Sequence, residues 1–383
     1  MQHSHFKIVH VIGLRGIGGV QKNFCEYIDT IDNQSKNHTV VTWGEVDDQY
    51  SNLQIEVINA KKIIGFLKLI LYLISSKRIV HFYNNFFSIK VLALLFLIPV
   101  NKVIIHERGA AWNAKKNIFL SFLYRKISIF IANSNASKIL LSQKFSVPAS
   151  KIRVIHNGIN TTLPKISRKK IQSYKQIGFI GRFDLAKGLE TLLDSFMILT
   201  KEYKKEIRLL VAGDGRLKKC LKEKFTSDKI KFIGRVHDTS EFYNNIDILV
   251  VPSIREPLGN VCLEAGLHKT PVIASYIDGI PEIIENMKSG ILIEPTIEPV
   301  FKCVDADLPL PEVVFSAKNS VLAKPKKISL SKLNNKIVTL LENTDLANKL
   351  AKNLQIKVLD YFNIDRYAIE IEDIYKEIYN EDK

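Results

Sequence analysis

Short apolar runs alternate with amphipathic stretches almost from the start of the chain. His5–Ile12, His38–Trp43, Ile79–Tyr83, Lys102–His106, Ser128–Ala132 and Ile152–His156 read as strands. Between them Val20–Ile31, Ile63–Ile74, Ser88–Leu97, Ile118–Lys126 and Ser137–Phe145 carry the helical period. Strands alternating with helices of this length imply right-handed βαβ units and a parallel sheet. The pattern lapses in the polar, basic stretch Lys165–Gln176, which suits a linker, and then restarts. Ile177–Ile180, Ile207–Ala212, Lys231–Ile233, Ile248–Val251, Val272–Ala274 and Gly290–Ile293 read as the strands of a second sheet. Pro295–Ser329 shows no period, and Ser331–Tyr379 is helical in pattern. The expectation is an α/β chain of two doubly wound, Rossmann-like domains facing across a crevice, with ligands at the carboxyl ends of the strands. The expected boundaries are 1–165 for the first domain, 166–176 for the linker and 177–355 for the second domain, with an insertion at about 295–329. Residues 356–383 are expected to form a C-terminal helix packing back on the first domain.

Composition adds little to the fold but excludes several classes. With 383 residues, 46% hydrophobic and 25% charged, the chain is an ordinary globular mix, not a disordered, collagen-like or disulfide-scaffold protein. Cys25, Cys220, Cys262 and Cys303 lie far apart with no C-x-x-C, which argues against structural zinc and fits a reducing compartment. Met1–His10 lacks the order of a signal peptide, and no run of about 18 uncharged apolar residues occurs. A cytoplasmic protein, or one peripheral on the inner face of the cytoplasmic membrane, is expected.

Charge changes the picture more. Residues 1–170 carry 24 Lys and Arg against 8 Asp and Glu, whereas the remainder carries 31 of each. The net charge of +16 therefore resides in the first half, pointing to an anionic partner there, because a coding bias would charge both halves alike. Ile63–Ile74, flanked by Lys61, Lys62, Lys77 and Arg78, is too short to span a bilayer. It reads either as a helix lying on an anionic membrane surface or as a buried crossover helix. His81, His156, His237 and His268 read as packing or capping residues.

Glycine turns mark the candidate sites. Gly13-Leu-Arg15-Gly16-Ile-Gly18-Gly19 follows the first strand and opens a helix, where backbone amides can meet a phosphate or sugar. Its spacing is not that of a dinucleotide fingerprint. In the second half, Gly181-Arg182 and Lys187-Gly188 leave a strand end together, and their two cations could neutralise a diphosphate. Gly213-Asp214-Gly215 is another glycine turn after a strand, suited to a flat base lying against backbone. In Arg255-Glu256-Pro-Leu258-Gly259-Asn260-Val-Cys-Leu-Glu264, Gly259 marks a helix start whose amides would face an anion. Glu256 and Glu264 could both accept hydrogen bonds from sugar or ribose hydroxyls.

These motifs, with Ile131-Ala-Asn-Ser134, Val154-Ile-His-Asn157-Gly158 and Pro281-Glu-Ile-Ile, resemble in order and spacing the glycosyltransferase family 4, retaining enzymes of the GT-B fold. The Glu-x7-Glu spacing of Glu256 and Glu264 is the strongest single marker. The resemblance implies that Arg182 and Lys187 hold the diphosphate without metal and that Glu256 holds donor-sugar hydroxyls. It implies that Glu264 holds the ribose and that Leu258, Gly259 and Asn260 supply phosphate-binding amides. It places His106 near the donor sugar, Gly18 and Gly19 near phosphate or acceptor, and Gly213, Asp214 and Gly215 on the donor side. Arg15, Glu107, Arg108 and Asn157 are carried to the acceptor side.

The expected activity is transfer of a hexose or N-acetylhexosamine from a UDP-sugar to a growing glycan such as lipopolysaccharide, O-antigen, capsule or another lipid-linked acceptor. No cofactor and no metal are expected. A sugar-nucleotide epimerase on the same scaffold is the alternative reading. A nucleic-acid-binding role for the basic half is weakened because Phe82, Tyr83, Phe86 and Phe87 sit in apolar segments, not on an exposed basic stripe. The string Asp305-Ala-Asp307 resembles the metal-binding D-x-D of GT-A enzymes, but lacks the strand and crevice that such a site needs.

Overall fold

The computed structural model describes residues 7–16, 18–31, 37–50, 53, 55–84, 89–115, 123–124, 126–162, 173–236 and 238–380. The chain divides into two compact units, one of residues 1–160 with 362–383, the other of residues 161–361. Most of the expected linker, most of the expected helix Ile118–Lys126, and His237, Phe86 and Phe87 lie outside the described residues.

The first unit holds seven strands: β1 (Lys7–Val11), β2 (His38–Thr42), β3 (Glu56–Asn59), β4 (Arg78–Tyr83), β5 (Val103–Glu107), β6 (Ile129–Ala132) and β7 (Ile152–Val154). They form one sheet in the order β3-β2-β1-β4-β5-β6-β7, every pair parallel. Its helices are α1 (Gly19–Thr30), α2 (Ile63–Ile74), α3 (Ile89–Leu97), α4 (Asn135–Phe145) and, from the far end of the chain, α12 (Ile364–Asn380). β3 was not expected: its sequence EVIN is short and its first two residues are exposed, so it carries no apolar run.

A parallel sheet covered on both faces calls for near-continuous apolar strands, and this one is interrupted by histidines. His10, His38, His81 and His106 share the sheet face of Ile8, Val40, Ile79 and Ile104, and all four are buried. His10 Nε2 lies 2.8 Å from His38 Nδ1, and His81 Nδ1 lies 2.7 Å from the Tyr375 hydroxyl on α12. The His81 ring stacks on Tyr83 at 4.2 Å and on His106 at 5.3 Å. Burial drives the pKa of His10, His81 and His106 well below the usual histidine value, and that of His38 to about 4.

The second unit holds β8 (Lys175–Ile180), β9 (Ile207–Ala212), β10 (Ile230–Gly234), β11 (Ile248–Val251), β12 (Val272–Ser275) and β13 (Ile291–Ile293), ordered β10-β9-β8-β11-β12-β13 and all parallel. The helices are α5 (Leu189–Glu202), α6 (Lys218–Lys224), α7 (Thr239–Asn244), α8 (Asn260–Leu267), α9 (Ile280–Ile283), α10 (Leu330–Glu342) and α11 (Thr344–Tyr361). Strand order reverses between β8 and β11, and a crevice opens at such a switch point, at the strands' carboxyl ends. The aperiodic segment after β13 contains a small antiparallel hairpin, β14 (Val314–Ser316) and β15 (Val321–Ala323).

Two readings are corrected or resolved. Cys220 and Cys303, separated by 83 residues, are joined in a disulfide, so the cysteine spacing does not support a reducing compartment. Spacing in sequence hides such a pair because only folding brings its Cα atoms within reach. The Ile63–Ile74 segment is the crossover helix between β3 and β4, buried on one side only. Its Gly65, Leu69 and Leu73 face inward, while Ile63, Ile64, Leu67 and Leu71 are exposed, Ile63 by 79%.

The histidine layer makes a sign-definite prediction. Above the unfolded histidine pKa near 6.5 both states are neutral and the layer contributes fully. Below it the unfolded chain takes up protons that the folded one refuses, so stability falls as pH drops from 6.5 toward 4 by about 1 kcal/mol per pH unit for each histidine engaged. Denaturant unfolding at pH 7.5, 6 and 5 measures this, and an unfolding free energy constant or rising toward acid would refute it.

Candidate active site

The second unit's switch point is built by two loops that leave β8 and β11. After β8 the Asp184 carboxylate accepts the Lys187 N–H at 3.0 Å, starting a short turn that ends at Gly188. Gly188 has φ +65°, and a Cβ there would lie 2.0 Å from the Pro252 carbonyl oxygen, so only glycine lets the turn press on the end of β11. The N–H groups of Ile254 and Arg255 both donate to the Ala186 carbonyl, at 2.8 and 3.1 Å. These bonds fasten the loops together.

The consequence is a contact between side chains 69 residues apart: Lys187 Nζ lies 2.6 Å from Glu256 Oε2. The Ser253 hydroxyl donates to the same oxygen at 3.1 Å. Both charges are largely withdrawn from water, at 18% and 7% side-chain exposure, so each depends on the other. Arg182 emerges from the same loop but stays 63% exposed, its guanidinium 3.3 Å from Asp184. It is a cation available to an anionic ligand.

Gly259, at φ +109°, caps the N-terminus of α8. Leu258 is buried beneath that turn and Asn260 is half-buried at the first helical position. About a turn into α8, Glu264 accepts the Tyr243 hydroxyl at 3.1 Å, and the Tyr243 ring stacks on His268 at 4.8 Å. The glycine turn after β9 packs backbone to backbone: a Cβ on Gly213 would meet the Gly181 carbonyl at 1.9 Å, and one on Gly215 the Phe183 N at 2.7 Å. Asp214 there is committed to the Gly215 N–H at 2.9 Å and to Lys218 at 3.3 Å. Within this unit the structure thus brings together Lys187, Glu256 and the Gly259 helix start, with Glu264 about a turn further along α8 and Arg182 on the loop that carries Lys187.

In the first unit, the β1 turn is clamped at Gly16, whose N–H donates to Asp47 at 2.6 Å and whose carbonyl accepts the Tyr50 hydroxyl at 2.6 Å. Gly18 then caps α1, Gly19 begins it, and Arg15 is exposed. His106, one residue before the end of β5, is fully buried, and neither ring nitrogen has a hydrogen-bond partner among the described residues. Glu107 is taken up locally, its carboxylate accepting the Gly109 and Ala111 N–H groups. Arg108 is buried, its N–H held by Asn84 at 2.8 Å and its guanidinium without a hydrogen-bond partner among the described residues. Asn157 is buried on the turn that carries Gly158, whose carbonyl accepts from Asn23 at 2.6 Å.

The sequence reading missed Ser253, Tyr243 and the buried Asp278, which accepts the Glu256 N–H at 2.7 Å. Each lies outside the recognisable motifs and acts on one. Asp305 and Asp307 both pair with Arg216, at 3.4 and 2.8 Å. Among the described residues, no group of three or more His, Cys, Asp or Glu is placed to hold a metal ion.

Residues 164–300 match the family Glycosyl transferases group 1, and residues 30–163 match Glycosyltransferase Family 4. A capsular polysaccharide biosynthesis glycosyltransferase, CapM, of Staphylococcus aureus is 29% identical over 199 residues, 46% of this chain and 52% of that protein. A lipopolysaccharide core biosynthesis glycosyltransferase, LpsE, of Rhizobium meliloti is 30% identical over 152 residues, 38% of this chain and 43% of that protein. The matched part spans about half the length of these curated relatives. The crystal structure of Anabaena HepE in complex with UDP and glucose superposes with a TM-score of 0.71 at 18% identity, covering 97% of this chain and 100% of that one. With contiguous family matches over residues 30–300 and two parallel-sheet units of the GT-B fold, the chain belongs to the group 1 glycosyltransferases of family 4.

Proposed function

We propose that this protein is a retaining, metal-independent glycosyltransferase that moves a hexose or N-acetylhexosamine from a UDP-sugar to a growing glycan on a lipid-linked or lipopolysaccharide-type acceptor. The observation that carries the reading is the Lys187–Glu256 contact at the β8/β11 switch point, with the Arg182 guanidinium exposed on the same loop after β8. Glycosyl transfer builds oxocarbenium character on the sugar and negative charge on the departing diphosphate. Arg182 and Lys187 neutralise that charge, which stabilises the leaving group. Glu256 accepts hydroxyls of the donor sugar and Glu264 those of the ribose; both position and neither attacks. Retention then follows from same-face attack, with the leaving phosphate taking the acceptor's proton. Two matched relatives named for capsule and lipopolysaccharide-core synthesis support a bacterial envelope glycan as acceptor, and the HepE complex supports uridine as the base.

The acceptor reading includes a location. Ile63, Ile64, Leu67 and Leu71 of α2 form one exposed apolar face, and Phe96 and Leu97 at the end of α3 are exposed as well. The Asn101 N–H donates to the Leu73 carbonyl at 2.8 Å, bringing the chain after α3 to the end of α2. Lys61, Lys62, Lys77 and Arg78 flank α2 within a half of the chain strongly biased to positive charge. Apolar residues rimmed by cations fit an anionic bilayer surface. Among the described residues no helix is long and apolar enough to cross a membrane.

Calorimetry with UDP, GDP, ADP and TDP in EDTA tests the donor site. UDP is expected to bind the wild type, and Arg182→Ala to weaken it about tenfold to hundredfold, the worth of a charged hydrogen bond. An equal preference for another base, or binding only with a divalent cation, refutes the donor assignment. Conversion of UDP-sugar to its epimer without acceptor would establish the epimerase instead. For the surface, co-flotation with phosphatidylglycerol-containing vesicles is expected, lost in Ile64→Glu/Leu67→Glu while UDP binding persists. Flotation unchanged by the double substitution, or a lipid-independent dimer that it disrupts, overturns the membrane reading.

A further inference from the structure

The segment between β13 and α10, which the sequence leaves without a period, is fastened to the donor side of the second unit at two places. At one end, the Glu190 carboxylate in the first turn of α5, three residues past Lys187, accepts the N–H groups of Lys302 and Cys303 at 2.7 and 2.9 Å. The Cys303–Cys220 disulfide and the Arg216 pairs with Asp305 and Asp307 secure the same stretch. At the other end stands the β14–β15 hairpin, held through Asp278.

Asp278 is 1% exposed and sits at φ +45° in the turn between β12 and α9. Its two carboxylate oxygens have separate duties. Oδ1 accepts the Phe315 N–H of β14 at 2.7 Å, and Oδ2 accepts the Glu256 N–H at 2.7 Å. Its own N–H donates to the Phe315 carbonyl at 2.9 Å, and the Gly279 N–H donates to the Glu256 carbonyl at 3.2 Å. Both backbone groups of Glu256 are thus held by residues 278 and 279, and residue 278 is held by the hairpin. Gly279 permits this closeness, since a Cβ there would come within 2.3 Å of the Pro257 carbonyl oxygen.

We propose that the inserted segment braces the donor-sugar carboxylate, and that Asp278 is the positioning residue through which the hairpin sets Glu256. This rests on the reading of Glu256 as the group that holds the donor sugar. A residue with a buried carboxylate in a left-handed turn is costly on both counts, and a fold tolerates it where the geometry it imposes is used. The Glu256 main chain cannot shift without breaking an Asp278 bond, so the Oε2 that meets Lys187 keeps its place.

The charged groups facing Asp278 are Arg255 and Glu256 on the loop after β11, while the hairpin offers only the Phe315 main chain. Burial pushes Asp278 up to about 7, against the Phe315 and Glu256 N–H bonds and Arg255, which favour its ionised form. Once protonated, one oxygen becomes a hydroxyl donor and one of the two N–H groups loses its acceptor. Asn at this position imitates that state at every pH, with a single acceptor oxygen, and it tolerates the left-handed backbone as Asp does.

The experiment measures kcat and donor KM from pH 5.5 to 9 for the wild type, Asp278→Asn and Glu256→Gln, with UDP binding followed in parallel. The wild type is expected to lose kcat/KM toward acid with a midpoint near 7. Asp278→Asn is expected to lower kcat about tenfold, to lack that acid limb, and to bind UDP within about twofold of the wild type. Wild-type kcat, KM and acid limb in Asp278→Asn overturn the proposal, as does a loss that only tracks the amount of folded protein. If Glu256→Gln itself turns over normally, the underlying reading of Glu256 fails instead.

Discussion

The second unit is organised by one constraint: an ammonium and a carboxylate, both largely dry, must meet at 2.6 Å. Neither can be left alone at that depth, because an uncompensated buried charge costs several kcal/mol. The loops that bear them leave strands on opposite sides of the reversal in sheet order, and meeting requires main chains to pass closer than side chains allow. Gly188 against Pro252 and Gly279 against Pro257 satisfy that requirement. The ion pair, the glycines and the switch-point topology are therefore one arrangement, with Arg182 exposed on the same loop as Lys187 and paired with Asp184.

The first unit follows a different physical logic. Its sheet is covered on both faces, yet across adjacent strands it carries a layer of histidine and tyrosine rings instead of an unbroken aliphatic surface. Such a layer is tolerable only with the imidazoles neutral, and burial enforces that. At its edge, the buried Arg108 guanidinium has no hydrogen-bond partner among the described residues, while the adjacent Glu107 is spent on its own loop. The cationic character of this half is thus partly interior and partly superficial, the latter around the exposed face of α2.

Much of this was legible in the chain. The parallel sheets could be read because doubly covered strands must be apolar runs, and Ile63–Ile74, Ile207–Ala212 and Ile248–Val251 emerge with the bounds that the pattern suggests. The glycine turns were visible because glycine is retained where a backbone crowds or turns left-handed. β3 was missed because an edge strand of four residues with two exposed has no period to read. The hairpin of residues 314–323 was missed for the same reason, its strands being three residues each.

The sequence by itself determined the element order, the two-sheet architecture, the placement of cations and carboxylates at strand ends, and the uneven charge. These are local or compositional properties, carried by spacing and residue type. Only the tertiary structure decided which side chains meet: Lys187 with Glu256, Tyr243 with Glu264, Cys220 with Cys303, and Asp278 with both Glu256 and Phe315. It also decided which face of α2 stays exposed. Pairings across 21 to 83 residues depend on how the sheets and loops are stacked, and the local pattern of a sequence contains no term for that.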